Sequence, residues 1–152
     1  MKPYALAIIL CLILSLTVLA QPRQPLSVDV EALHLRTEGA FVLVILAYHN
    51  PVATPLAIGL QQWANAFTHL DDDVHNSYTL IQTLGIGYGY DPRYWLTLDA
   101  QGRATAGFLF RAEDPAGTPP TRYTFTSGHQ LRSADAPKVA AFTVSLRNLV
   151  PH

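Results

Sequence analysis

Beyond the N-terminus, the longest apolar run in this chain is Ala-Phe-Val-Leu-Val-Ile-Leu-Ala-Tyr, residues 40–48. Nine residues cannot cross a bilayer as a helix. Gly39 precedes the run and Asn50-Pro51 follows it, and a proline cannot donate to a strand ladder. The run is therefore read as a β-strand over residues 40–49. Phe41, Leu43 and Ile45 fall on one face, and Val42, Val44 and Leu46 on the other. A strand apolar on both faces is expected at the centre of a core, covered from both sides.

Its neighbours carry the same signature in weaker form. In residues 26–36, Val28 and Val30 alternate with Asp29 and Glu31, the period of a half-buried strand. Residues 37–39 supply a turn. Residues 55–70 fit two periods, because Leu56, Leu60, Trp63, Phe67 and Leu70 recur at helical spacing while Ile58 and Leu60 share a strand face. Strand character with a bulge or one short helical turn is expected there. Residues 71–76 read as a polar turn, and 78–84 as a strand rich in β-branched and aromatic residues. Residues 94–98 and 104–111 flank Asp99-Ala100-Gln101-Gly102, read as a hairpin connection with Gly102 at positive φ. A loop with three prolines and a glycine spans 113–120. A short strand at 123–126 and a polar loop at 127–137 follow. Residues 139–147 close the set, with Phe142, Val144 and Leu146 facing in and Thr143, Ser145 and Arg147 facing out. Seven or eight strands without an internal repeat predict an all-β, antiparallel two-sheet sandwich over residues 26–149. A small closed barrel is the alternative.

The N-terminus specifies a compartment. Lys2 precedes an almost wholly apolar stretch, residues 4–19, and Val18-Leu19-Ala20 suits a signal peptidase. Residues 1–20 are read as a secretory signal cleaved after Ala20, and 21–25 as an extended leader with two prolines. The alternative is an anchor formed by an uncleaved N-terminal segment. Lipoprotein processing at Cys11 is disfavoured by Leu10, where a small residue is expected. A secreted or periplasmic location follows. Cleavage removes the only cysteine, so stability is expected from apolar burial and strand pairing rather than disulfides. A net charge of −1 offers no basic patch for nucleic acid, and no polybasic or amphipathic segment marks a membrane surface.

From residue 26 onward, several features follow one another in order. They are Val28 and Val30, the apolar strand ending at Asn50, Leu70-Asp71-Asp72 before Tyr78, Gly107-Phe108-Leu109-Phe110, and the closing strand from Phe142. This order resembles the immunoglobulin-like extracellular domains of uncharacterised bacterial secreted proteins and lipoproteins. The chain departs from them in lacking a glycine in the acidic turn and a lipobox cysteine. The resemblance implies a fold and a compartment and carries no catalytic residues.

Two clusters are candidate sites. Tyr88, Tyr90, Tyr94 and Trp95 lie among Gly85, Gly87 and Gly89. Exposed aromatics on a glycine-rich loop can stack on sugar faces or anchor a protein partner. The same pattern also suits aromatics that cover the open end of a sandwich. The second cluster is His69, Asp71, Asp72, Asp73 and His75, whose carboxylates suit calcium and whose imidazoles suit zinc. It matches no defined metal loop and suits a solvated turn equally. No cofactor is otherwise expected.

Enzyme signatures are missing. Ser127-Gly128-His129 lacks a nucleophile elbow, no His-Glu-x-x-His occurs, and the Gly85-x-Gly87-x-Gly89 run opens no helix. The expected function is a non-enzymatic binding or accessory module for a protein or glycan in the cell envelope or outside. One alternative is a structural subunit of a fibre or envelope assembly that self-assembles by donating its N-terminal segment as a strand. The other is a metal-binding protein using the 69–76 turn.

Overall fold

The computed structural model describes residues 26–61, 64–89, 91–114, 117–133 and 139–152. Residues 1–25, read from the sequence as signal and leader, lie outside the described residues.

The alternation of Val30 and Ala32 with Asp29 and Glu31 produces β1 (Asp29–Glu38), which pairs antiparallel with β2 (Phe41–His49) through the turn at Gly39. Gly39 sits at φ 58°, the left-handed region that glycine enters without a Cβ penalty. β2 continues onto β7 (Arg103–Ala112), and β7 onto β5 (Tyr78–Leu84), giving a four-stranded sheet in the order β1-β2-β7-β5.

The second sheet is built on β8 (Tyr123–Ser133). β9 (Ala140–Leu149) runs along one side of it. Its other side takes two strands in line. β3 (Leu56–Leu60) pairs with Ser133 to His129, and β4 (Thr68–Asp72) pairs with Ser127 to Tyr123. One α-helical turn, α1 (Ala64–Phe67), lies between them in sequence, so the strand-and-helical-turn reading of residues 55–70 describes this interrupted strand. The three-residue β6 (Leu96–Leu98) pairs with β3.

All named strands pair antiparallel, in two sheets. Strands β1, β2, β5 and β7 share one sheet while β3, β8 and β9 share the other, which is the A-B-E-D and C-F-G division of an immunoglobulin-like sandwich. Nine strands are present among the described residues. Between the sheets lie Tyr48, Phe108, Phe110 and Phe125, all fully buried. Phe125 meets Phe108 at 4.9 Å and Phe110 at 6.2 Å, both inclined, as ring quadrupoles prefer. Among the described residues no helix is long and apolar enough to cross a membrane.

Three local expectations are corrected. Residues 99–102 do not form a hairpin. β6 belongs to one sheet and β7 to the other, so this turn is a crossover between sheets. The positive φ falls on Gln101, at 56°, and not on Gly102. The polar stretch from Ser127 is not a loop but the second half of β8, continuing to Ser133. Finally, β2 is covered on one face only. Val42, Val44, Leu46 and Tyr48 enter the core, while Phe41 on the outer face is 45% exposed.

The two crossovers are tied by Asn50. Its side chain is fully buried and its Nδ2 donates to the carbonyls of Thr54 and Asp99, each at 2.8 Å, while Oδ1 accepts from Val52 N at 3.0 Å. The backbone adds Asn50 N to the Gly102 carbonyl, at 2.9 Å. Asn50→Ala strands three partly buried partners and empties a fully buried site, and is expected to cost about 2 kcal/mol or more, measured as a lower urea midpoint with an unchanged m value.

Candidate functional site

The glycine-rich loop is docked onto the end of β3 by backbone pairing. Leu60 N donates to the Gly87 carbonyl at 2.8 Å, and Gly89 N donates to the Leu60 carbonyl at 3.3 Å, a parallel bridge centred on Tyr88. Gly85 and Gly89, at φ 74° and 86°, supply the left-handed bends that bring the chain in and out of this bridge. Ile86 anchors the loop in the core.

The chain then turns through a short 3-10 segment, Pro92–Tyr94, capped by Asp91. Asp91 accepts from Arg93 N at 3.0 Å and from the Arg93 guanidinium, whose Nη2 lies 2.6 Å from Oδ2. The hydrogen bonds and charge of Arg93 hold the Asp91 carboxyl below its ordinary range. Proline at the first position and the aspartate cap explain why the turn forms here.

This geometry divides the four aromatics singled out from the sequence. Trp95 is 7% exposed. Its indole lies over Gly59 of β3, where a methyl group would sit 2.6 Å from the ring, and its Nε1–H donates to the Gly89 carbonyl at 3.1 Å. Trp95 is thus the buried support of the loop. Tyr94 and Tyr88 are 65% and 62% exposed. A Cβ on Gly87 would collide with Tyr94, so the absence of a side chain there lets the 3-10 turn pack against the loop. Tyr90 lies outside the described residues.

Beside the 3-10 turn, a shallow depression of about 200 Å3 is lined by Pro55, Ala57, Pro92, Thr97 and Arg132 among others. Thr97 and Arg132 flank Ala57 in register across the outer face of the second sheet. Nothing in the sequence marks this hollow, because its walls come from three separated segments. It brings a hydroxyl and a guanidinium together with Pro92 of the 3-10 turn.

The 69–76 turn is arranged differently. His69 and Asp71 point away from the core while Asp72 points inward, following the strand period of β4. Asp72 accepts from Val74 N and Asn76 N at 3.0 Å, and from Asn76 Nδ2 and the Tyr78 hydroxyl at 2.7 Å. Burial raises its carboxyl, but these bonds outweigh it and leave the group below its ordinary value. Asp73 accepts from the hydroxyl and backbone N–H of Thr121, which hold its carboxyl down. His69 donates from Nε2 to the Ala66 carbonyl at 2.9 Å. His75 occupies the left-handed region at φ 64°. Among the described residues no three His, Cys, Asp or Glu side chains gather to hold a metal ion. Asp72→Ala is expected to destabilise the domain by about 2–3 kcal/mol, read as a lower melting temperature.

Ser127 and His129 are fully buried. Ser127 Oγ bonds Thr68 Oγ1 at 2.9 Å. His129 Nδ1 donates to the Ser127 carbonyl at 3.1 Å, so Nε2 is left to accept from the Tyr48 hydroxyl at 2.8 Å. The imidazole therefore bridges the two sheets inside the core, out of reach of a substrate.

No family model and no curated protein matches the chain. Solved structures similar in general form include the GAE domain of yeast GGA1 (15% identity, 84% of this chain and 96% of that one, TM-score 0.42). The PapD-like domain 7 of human CEP192 is 12% identical over 88% of this chain and 93% of that one, with TM-score 0.45. AggA, the major subunit of aggregative adherence fimbriae type I from Escherichia coli, is 9% identical over 87% and 99%, with TM-score 0.46.

Proposed function

We propose that the chain is a secreted, non-enzymatic binding module that takes a protein or glycan on the end of the sandwich carrying Tyr88 and Tyr94. One observation carries this reading: two tyrosines stand mostly in solvent on a segment tied by the backbone bonds of Gly87 and Gly89 to Leu60 and by the buried Trp95. Exposed aromatics held rigid lose little entropy on binding, and their flat faces suit a sugar ring or an apolar side chain. The hollow that Pro92 of the 3-10 turn helps to line offers Thr97 and Arg132 as polar contacts at its wall.

The test is a glycan array run beside an array of purified envelope proteins, with wild type and the Tyr88→Ala/Tyr94→Ala double variant. Retention on one array that the double variant loses supports the reading and names the ligand class. Retention by both proteins alike would place binding elsewhere, and retention of neither would remove the reading.

Strand donation by the N-terminal segment is less well supported. Residues 29–38 already pair with β2 of the same chain from end to end, interrupted only at Leu33. Deleting residues 21–35 is accordingly expected to abolish cooperative unfolding, monitored by near-ultraviolet circular dichroism. A stable, folded monomer after the deletion would favour donation instead.

A further inference from the structure

The outer face of the β1-β2-β7-β5 sheet is apolar at its centre. In register across β2 and β7 stand Phe41 and Arg111, then Leu43 and Leu109, then Ile45 and Gly107. β5 adds Leu84 opposite Gly107. The side chains of Leu43 and Leu84 both close on Gly107, at 3.6 and 3.3 Å from where its Cβ would be, so these residues form one continuous apolar surface over the buried glycine. Phe41 and Leu84 are each 45% exposed. A strand with apolar residues on both faces has here only one of them in the core.

Charge on this face is divided. The β1 flank carries Asp29, Glu31 and Glu38 against Arg36, with His34 between them. The β7 side carries Arg103 and Arg111, with Glu113 beyond the end of the strand and bonded to Thr79. One flank is acidic and the other basic, so the face is complementary to itself.

We infer that this face is a self-association surface, occupied by the same face of a second copy related by a two-fold axis parallel to the strands. That axis lays β2 of one copy over β7 of the other. Ile45 then meets the leucines that cover Gly107, Leu43 meets Leu109, and Phe41 lies under the guanidinium of Arg111, a cation–π pairing. The acidic β1 flank comes over the β7–β5 side, beside Arg103 and Arg111. A two-fold axis across the strands would instead set Glu38 over Asp29 and Arg111 over Arg103, like charge on like. Aligned face-to-face sheets and isologous pairs are the ordinary geometry for such a contact. The tyrosine loop takes no part.

Sedimentation equilibrium of the purified protein over a hundredfold concentration range tests this. Wild type is expected to dimerise reversibly. Phe41→Asp is expected to shift the midpoint at least tenfold upward in concentration while the monomer still unfolds cooperatively, because the side chain lies outside the core. Arg111→Glu is expected to weaken the dimer, and Glu38→Arg added to it to restore most of the loss. Tyr88→Ala/Tyr94→Ala should leave the dimer intact, separating this surface from the proposed ligand site. A wild type that stays monomeric throughout would overturn the inference. So would a dimer indifferent to both Phe41→Asp and Arg111→Glu.

Discussion

Trp95→Ala is expected to lower the stability of the domain by about 3–5 kcal/mol, the range for removing a buried large aromatic. The side chain is nearly buried, and three things depend on it. The indole covers the bare backbone of Gly59, its N–H is the partner of the Gly89 carbonyl, and its position fixes the 3-10 turn that presents Tyr94. Local and global effects should therefore appear together. Urea unfolding should show the lost stability, and amide exchange at Gly89 should rise because its bond to the Leu60 carbonyl no longer has a fixed loop behind it. Gly59→Ala approaches the same contact from below, forcing a methyl group into a rigid ring. It should cost about 1–3 kcal/mol. A Trp95→Ala protein with wild-type exchange at Gly89 would mean that the loop is held by its backbone bonds alone.

Lowering the pH from 6.5 to 4 is expected to remove about 3 kcal/mol of stability through His129 alone. Burial holds this imidazole down to about 4 from an ordinary value of 6.5, against a smaller opposing effect of its bond to the Ser127 carbonyl. The unfolded chain thus binds a proton in this window that the native state refuses, and the native state weakens as pH falls. Well above 6.5 both states hold a neutral ring and the contribution is flat. Protonation would also put an N–H on Nε2, which accepts from Tyr48 in the folded protein. Asp72 and Asp73 act in the same direction at lower pH, because both carboxyls are held below 3.8. Chemical unfolding at a series of pH values checks the slope. His129→Gln keeps an acceptor for the Tyr48 hydroxyl but cannot titrate, and its stability should be nearly level from 6.5 to 4. A variant that retains the wild-type slope would assign the effect to other groups.

The fold was legible where the signal is local. Residues 78–84 were read as a strand and form β5, since β-branched and aromatic residues between polar turns leave little choice. β2 was equally plain, although its composition misled about its surroundings. An apolar residue facing an open sheet surface looks the same in sequence as one facing a second layer. β8 was cut short because Ser127, His129 and Gln130 look like loop residues. They are tolerated in the interior by Thr68, Tyr48 and the Leu60 carbonyl, which lie 59, 81 and 70 residues away along the chain. Residues 99–102 carry the chemistry of a tight turn, and that chemistry serves a hairpin and a sheet-to-sheet corner alike. What fixes the corner is Asn50, 49 residues from its partner Asp99.

For the candidate site, the sequence could gather the aromatics but not orient them. Tyr94 and Trp95 are adjacent, yet one faces solvent and the other the core. The 3-10 turn ending at Tyr94 changes the direction of the chain between them, and no periodicity extends across so short an element. The acidic turn was gathered by sequence and separated by structure, because Asp71 and Asp72 sit on opposite faces of β4.

On the reading proposed above, recognition rests on two exposed tyrosines, Tyr88 and Tyr94, supported by the buried Trp95. Titration calorimetry with the ligand identified on the arrays, comparing wild type with Tyr88→Ala/Tyr94→Ala at equal melting temperature, tests it most directly. Truncating two central aromatic contacts should weaken binding about tenfold or more. An affinity unchanged in the folded double variant would contradict the account and move the binding surface away from this end of the sandwich.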